Sequence, residues 1–230
     1  MNYVLIGDIH SQADKLENAL NYIRQCIENP CVVFLGDIFD SRCEYSDSKL
    51  VYSLVRDAEK NLNGIVLQSN HQDKLIRYLK GNKVQLLGGL DRTIQDIIGG
   101  GISEEVLYKW LLGHAFGVVF KDSEGTEYRC AHSYFNSEIQ IQEYTTHYLV
   151  KTLSRKHKHQ FLYGITDSDG TRTMWWENDN SYQNYVRVAG HYHTVYTNLH
   201  NKSLVIDSGC GSVGGKLTIF DVNSKNLHQF

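Results

Sequence analysis

The chain has 230 residues, 41% hydrophobic and 21% charged, with a formal net charge of -3. That balance fits one globular domain with a full core, and it excludes a disordered polyelectrolyte or a protein held to nucleic acid by a global positive field. Five cysteines with no Cys-x-x-Cys pair argue against a disulfide scaffold or structural zinc site and for reduced thiols in the cytoplasm, while no basic leader or ~20-residue apolar run marks a signal peptide or membrane span.

The first predicted strand is the apolar run Val4–Ile6, which breaks at Gly7 and presents Asp8 and His10. Ser11 with Asp14 reads as a capping box, and Leu16, Ala19, Leu20, Ile23 and Ile27 follow helical spacing until Asn29 and Pro30 end the helix. A second strand, Val32 to Leu35, breaks at Gly36-Asp37. The polar loop 40–47 leads to a helix with Leu50, Val51, Leu54, Val55 and Ala58 on one face. The turn Asn63-Gly64 enters a third strand, Ile65 to Gln68, followed by a short helix from His71 to Leu79. This βαβαβα order predicts parallel strands with right-handed crossovers.

Ile94, Ile97 and Ile98 suggest a further helix, and Gly99 to Gly101 read as a flexible connector or a tight turn. Ser103 caps a helix with Val106, Leu107, Trp110 and Leu111 inward. The segments 115–120 and 126–131 flank a turn and form a hairpin that delivers His132. From 136 to 184 the pattern weakens to a partly helical segment and a long loop, a combination that is usually functional or mobile. Four late strands, 186–189, 195–199, 204–206 and 217–222, read as antiparallel, with turns at Asn201-Lys202 and Asn223-Ser224. The fold class is therefore α/β: two mixed sheets flanked by helices, parallel units first, in a single domain over 1–230 whose segment 136–184 borders the substrate.

Asp8, His10, Asp37, Asn70, His132 and His191 each follow an apolar strand-like run, and His193 lies two residues beyond the last. Alternate residues of an extended chain share a side, so Asp8 and His10 address one point beyond the strand end, where open α/β sheets bind ligands. A mixture of Asp, His and Asn suits manganese, iron, zinc or nickel. Seven ligands exceed the needs of one ion, and two ions ~3.5–4 Å apart with a shared carboxylate would use them. Asp37, on the middle of the three early strand ends, is the natural bridge. Asp8, Asp37 or Asp207 alone could be an ordinary turn residue, Asn70 a helix cap, and His132 a hydrogen-bonded core histidine. The ordered set tips these readings toward metal. Asp207 is either a turn residue or the partner of a ligand histidine.

The motifs Gly-Asp-Ile-His (7–10), Gly-Asp-Ile-Phe-Asp (36–40), Ser-Asn-His-Gln (69–72), Ala-His-Ser (131–133) and Gly-His-Tyr-His (190–193) resemble those of the calcineurin-like metallophosphoesterases in order and spacing. The stretches 74–82, 161–166, 206–210 and 214–218 are similar to small bacterial and phage protein phosphatases, and most to the phosphatase domain of bacterial polynucleotide kinase-phosphatases. The resemblance implies that Asp8 and His10 hold one ion, that Asn70, His132 and His191 hold the other, and that Asp37 bridges them. His193 would join the first ion. It also implies that His71 protonates the leaving oxygen, that Asp40 orients it, and that a metal-bridging hydroxide attacks phosphorus. Two differences stand out. The family's Asp-Arg-Gly is Asp40-Ser41-Arg42 here, which displaces the phosphate-binding arginine, and Gly-Asn-His-Glu has become Ser-Asn-His-Gln.

The activity expected from this resemblance is hydrolysis of phosphomonoesters, foremost as a broad-range serine/threonine protein phosphatase. Its alternatives are a polynucleotide phosphatase and a dinucleoside polyphosphate hydrolase. The only expected partner is the substrate, a phosphorylated protein or nucleic-acid end, with no membrane and no stable protein partner. A silent binding module would have lost a ligand or the acid, and none is missing. The basic run 151–158 reads as a solvated helix face, with phosphate contact as its sharper reading. Trp175 and Trp176 read as core rather than as a base-stacking platform, and His114, His147, His157, His159, His200 and His228 as surface or loop residues.

Overall fold

The computed structural model describes residues 1–41, 43, 45–178, 184–200 and 202–230. The elements are β1 (Asn2–Ile6), α1 (Ala13–Cys26), β2 (Pro30–Phe34), α2 (Ser48–Asn61), β3 (Ile65–Val66), α3 (Asn70–Leu79), α4 (Leu90–Ile97) and α5 (Glu104–Gly113). There follow β4 (Gly117–Lys121), β5 (Glu127–Ala131), β6 (His147–Val150), α6 (Arg155–Tyr163), α7 (Trp175–Asn178), β7 (Tyr185–Ala189), β8 (Val195–Asn198), β9 (Ser203–Ile206), β10 (Thr218–Asp221) and β11 (Asn226–Gln229).

Two sheets result, ordered β11-β10-β1-β2-β3 and β6-β4-β5-β7-β9-β8. β1, β2 and β3 run parallel, as the alternation of apolar runs and helical periods requires. Side chains on one strand alternate between two cores. Val4 and Ile6 face α1, α2 and the helices after them, whereas Tyr3 and Leu5 face the second sheet, against Val118, Phe120, Val188 and Ile206. Leu5 is fully buried between the sheets, so Leu5→Ala would cost about 2–5 kcal/mol. The outer face of the second sheet is covered by Trp175 and Trp176, packed on Ala189 and Val205. Both tryptophans are buried, which rules out a stacking platform.

Several local expectations change. Ser11 does not cap α1: its φ is 58°, its hydroxyl bonds that of Ser48 at 2.9 Å, and Gln12 precedes the helix without a side-chain cap. Leu50 and Val106 lie in the first turns of their helices and are exposed, so the buried faces begin at Val51 and Leu107. The late strands are not uniformly antiparallel, because β7 pairs in parallel with both β5 and β9 while β8 and β10 pair antiparallel. The weakly patterned segment 136–184 contributes β6 to a sheet edge, and β11 closes the other sheet. Asn201 of the expected turn lies outside the described residues, and Lys202 beside it has φ 55°. His114 is buried rather than on the surface; its Nδ1 accepts from Gln72 Nε2 at 3.3 Å, and Trp110 packs edge-on against it.

Candidate metal centre

The loops after β1 and β2 are bound to each other. The amides of Ile9 and His10 both donate to the Asp37 carbonyl, at 3.0 and 2.8 Å, and Ser11 donates to Ile38 at 2.8 Å. The two strand ends therefore move as one unit. Left-handed φ angles gather here in residues other than glycine: 48° at His10, 40° at Asp37, 68° at Asp40, 70° at His191 and 50° at His193. Such conformations cost energy and persist only where the surroundings impose them. Gly36, at φ 113°, permits a close approach: a Cβ there would lie 2.8 Å from His132 Nδ1.

The side chains converge on one atom. Asp37 Oδ2 lies 3.4 Å from His132 Nε2, 3.7 Å from His10 Nε2 and 4.0 Å from His71 Nε2. His10, Asp37 and His71 form one group of donors close enough to share an ion, and Asp37, His132 and His191 form another. Asp37 belongs to both, as a bridge must. Asn70 Oδ1 and His191 Nδ1 come within 2.8 and 3.1 Å of His132 Nε2.

Backbone carbonyls set the histidine tautomers. His132 Nδ1 faces the Leu35 carbonyl at 2.9 Å, and His10 Nδ1 faces those of Phe39 and Asp40, both at 3.1 Å. A nitrogen against a carbonyl carries the proton, so Nε2 of each ring presents a lone pair to the centre, the usual arrangement behind a metal-ligating histidine. Lone pairs of His132, Asn70 and Asp37 thus meet with no hydrogen between them. Asp8 Oδ1, Asp37 Oδ1 and His191 Nε2 are also buried with no hydrogen-bond partner. Buried acceptors that face one another need a cation, and the residues present fit the two divalent ions that the motifs implied.

Ionisation follows the same geometry. Burial, then the charges of Asp207 and Asp37, push the Asp8 carboxyl well above the usual range. Burial opposes ionisation of Asp37 too, but His132, His71 and His10 outweigh it and hold the carboxyl well below that range. Burial lowers His10, and burial together with His132 lowers His191 to about 2, so both rings stay neutral as ligands must. His71 goes the other way. Burial would lower it, but Asp37 and a 2.8 Å bond from Nδ1 to Asp40 Oδ2 raise it to about 9. Asp40 is held in turn by the Thr93 hydroxyl, which donates to Oδ1 at 2.7 Å. A charged ring with Nε2 turned to the centre is built to give up a proton.

The other expected residues divide. Asp207 is fully buried; Oδ2 accepts from the His193 amide at 2.6 Å and Oδ1 from Gly209 at 2.9 Å. It therefore fixes the turn that carries His191 and His193 and adds negative charge beside Asp8. Asp8 Oδ2 accepts from the His191 amide at 2.9 Å, which couples the first strand to that turn. His193 is exposed and lines the same cleft, but it stands outside both close donor groups. Arg42 lies outside the described residues.

Sequence reasoning missed Arg172. It borders the 170 Å³ cleft with His10, Asn70, His71 and His191, and is the only lysine or arginine among the described residues that line it. A short hairpin places it: Thr166 bridges to Arg172 and the Thr173 amide donates to Ile165 at 2.9 Å. The guanidinium rests over Tyr192, 5.8 Å from the ring centre. Its only sequence signal was the turn-forming Asp167-Ser168-Asp169-Gly170.

A carboxylate shared by two groups of donors, beside an imidazole held by a second carboxylate and an arginine, is an arrangement suited to metal-assisted phosphoryl transfer. The chain belongs to the calcineurin-like phosphoesterase family, which matches residues 1–218. Among curated relatives, the asymmetrical bis(5'-nucleosyl)-tetraphosphatase PrpE of Halalkalibacterium halodurans is 31% identical over 113 residues, 46% of this chain and 44% of the relative. The Oceanobacillus iheyensis protein of the same name is 35% identical over 101 residues, 40% of this chain and 39% of the relative. The chain thus spans less than half the length of the curated relatives it matches. A solved structure provisionally described as a diadenosine tetraphosphatase superposes with a TM-score of 0.64 at 14% identity, covering 100% of this chain and 92% of that one. The cold-active protein-tyrosine phosphatase of a Shewanella species gives 0.56 at 16%, covering 99% and 80%. A serine/threonine phosphatase of Saccharomyces cerevisiae gives 0.56 at 10%, covering 100% and 79%. At these identities the superpositions establish the fold. Among the described residues no helix is long and apolar enough to cross a membrane.

Proposed function

We propose that this phosphoesterase uses two divalent ions to transfer a phosphoryl group to water, with Asp8, His10 and Asp37 holding one and Asp37, Asn70, His132 and His191 the other. The carrying observation is the convergence of three imidazoles on Asp37 Oδ2, with buried acceptors that lack any donor. Bound ions would activate water and offset charge on the phosphoryl oxygens. Manganese is the proposed metal, since the oxygen and nitrogen ligand set accepts it well.

The chain's own residues supply the rest. Arg172 engages the transferred phosphoryl group from the open side of the cleft, a task that its planar guanidinium suits. His71 donates the Nε2 proton to the leaving oxygen, and Asp40 keeps the ring turned and charged for that step. Thr93 and the backbone carbonyls hold these groups in place beforehand, which lowers the reorganisation needed at the moment of reaction.

For the substrate, two readings have specific support. Dinucleoside polyphosphates gain it from the curated relatives, which are named for cleaving them and are 31% and 35% identical over the matched parts. Phosphomonoesters, including phosphoproteins, are compatible with a cleft of 170 Å³ that sets one arginine beside the clustered metal-ligating side chains. We favour the first. The test is cleavage of three substrates by manganese-loaded protein, read as nucleotide products for the dinucleotide and as released phosphate for the other two, with Asp8→Asn as the blank. The substrates are bis(5'-adenosyl) tetraphosphate, a phosphopeptide and a phosphate-ended oligonucleotide. Preference for the tetraphosphate supports the reading, and preference for either of the others replaces it.

A further inference from the structure

The catalytic cleft is not closed beyond His71. A second cavity of about 420 Å³ adjoins it, sharing Asn70 and His71 as its near wall. Its other walls are Lys74, Arg77, Leu87 and Tyr163. One helix builds the polar side. Asn70, Lys74 and Arg77 follow the four- and three-residue spacing that places side chains on a single face of α3. The face therefore carries a metal-ligating type, then two cations, over about 10 Å of helix.

Each group is fixed and still presented to solvent. Lys74 Nζ donates to the Leu87 carbonyl at 2.8 Å, which ties the 81–89 loop to the helix. Arg77 Nε donates to Asp73 at 3.1 Å, and the Tyr163 hydroxyl bonds to the same guanidinium. Asp73 does not cancel this charge, because Lys158 pairs with it at 2.6 Å. Two cations thus share one carboxylate. Leu87 is 64% exposed and lines the same cavity as Tyr163. An apolar side chain held open next to an aromatic ring and two cations suits a ligand that is anionic at one end and flat at the other.

Position gives the cavity its role. A general acid must touch the oxygen that leaves, so the departing half of the substrate lies on the His71 side. That is where the second cavity starts. We propose that Lys74, Arg77, Tyr163 and Leu87 form a leaving-group subsite that takes a phosphate-bearing leaving group, the nucleotide half of a nucleoside polyphosphate. The inference rests on the phosphohydrolase reading above. Water oxygen bonds to phosphorus, the bridging P–O bond breaks, and its electron pair stays on the departing phosphate. That oxygen takes the His71 proton, which a proton of the attacking water replaces. Lys74 and Arg77 neutralise the departing charge, and Tyr163 with Leu87 holds the base.

The test is kinetic and uses the full, manganese-loaded chain. The readout is the ratio of kcat/KM for bis(5'-adenosyl) tetraphosphate to that for p-nitrophenyl phosphate, whose leaving group carries no phosphate. Lys74→Gln and Arg77→Gln should each lower the ratio about tenfold and the pair about 100-fold, as expected for lost charge-assisted bonds. Lys74→Arg should restore most of it. A ratio unchanged in the folded double variant overturns the subsite, as does wild-type protein that cleaves the aryl phosphate and spares the tetraphosphate. An acidic phosphopeptide showing the same dependence in place of the tetraphosphate also overturns it. Wild-type protein inert toward every substrate would instead strike down the phosphohydrolase reading itself.

Discussion

Replacement of Asp40 by Asn isolates the proton-donating pair. Asp40 is 2% exposed and its Oδ2 lies 2.8 Å from His71 Nδ1. The substitution exchanges a charge-assisted bond for a neutral one, with a loss of about 1.5–3 kcal/mol. If the whole loss falls on protonation of the leaving group, the rate drops by roughly 10–150-fold. The penalty must depend on the leaving group. An alkyl phosphate leaves as a strongly basic alkoxide and needs the proton, whereas p-nitrophenolate leaves almost without help. Metal content should stay at the wild-type level, because His10 contacts the Asp40 backbone carbonyl rather than its carboxylate. The assay is kcat for an alkyl and an aryl phosphate with the same metal-loaded protein. Equal losses on both substrates, or none on the alkyl ester, would refute the assignment of His71 as acid.

Three further outcomes follow from the geometry. Arg172→Ala should raise KM for an aryl phosphate about tenfold and weaken inhibition by inorganic phosphate in parallel, since it removes the one lysine or arginine among the described residues of the cleft; steady-state inhibition curves check this, and an unchanged inhibition constant counts against it. His193→Ala should lower the metal bound at the first site if the exposed ring serves as a ligand, and elemental analysis that still finds both ions removes it from the set. His114 is buried and its pKa is lowered from 6.5 to about 3, first by burial and then by Arg56. The unfolded chain therefore binds this proton first: stability is full above pH 6.5 and declines as pH falls toward 3. Between pH 7.5 and 5.0 the loss from this ring is about 2 kcal/mol, and His114→Gln should shrink the wild-type difference by that amount in urea titrations at the two pH values.

The legible parts of the centre were those carried by short-range rules. Asp8, Asp37 and His132 follow apolar runs of four or so residues, and a strand of period two can end in only one way when glycine or a polar residue interrupts it. The order β1-β2-β3 followed from alternation of strand and helix, and it put Asp37 in the middle as expected. Other features depended on contacts far along the chain. Ser11 looks like a cap, but the turn that aims His10 at Asp37 claims its backbone, and Ser48 claims its hydroxyl. The parallel pairing of β7 with β5 and β9 reflects sheet order, which no local pattern encodes. His114 lies in an ordinary loop sequence and is buried because Gln72 and Trp110 close over it. Arg172 reaches the cleft from a hairpin in the least patterned stretch of the chain, so its place there became visible only with the strand ends in position.

The most direct test of the central claim is the number of metal ions bound per chain. Protein stripped with chelator, reloaded with manganese and desalted should carry two ions, and Asp37→Asn should carry one or none with turnover abolished, because the shared carboxylate serves both sites. A wild-type chain that retains no ion, or an Asp37→Asn chain that keeps two ions and full phosphatase rate, would contradict the account.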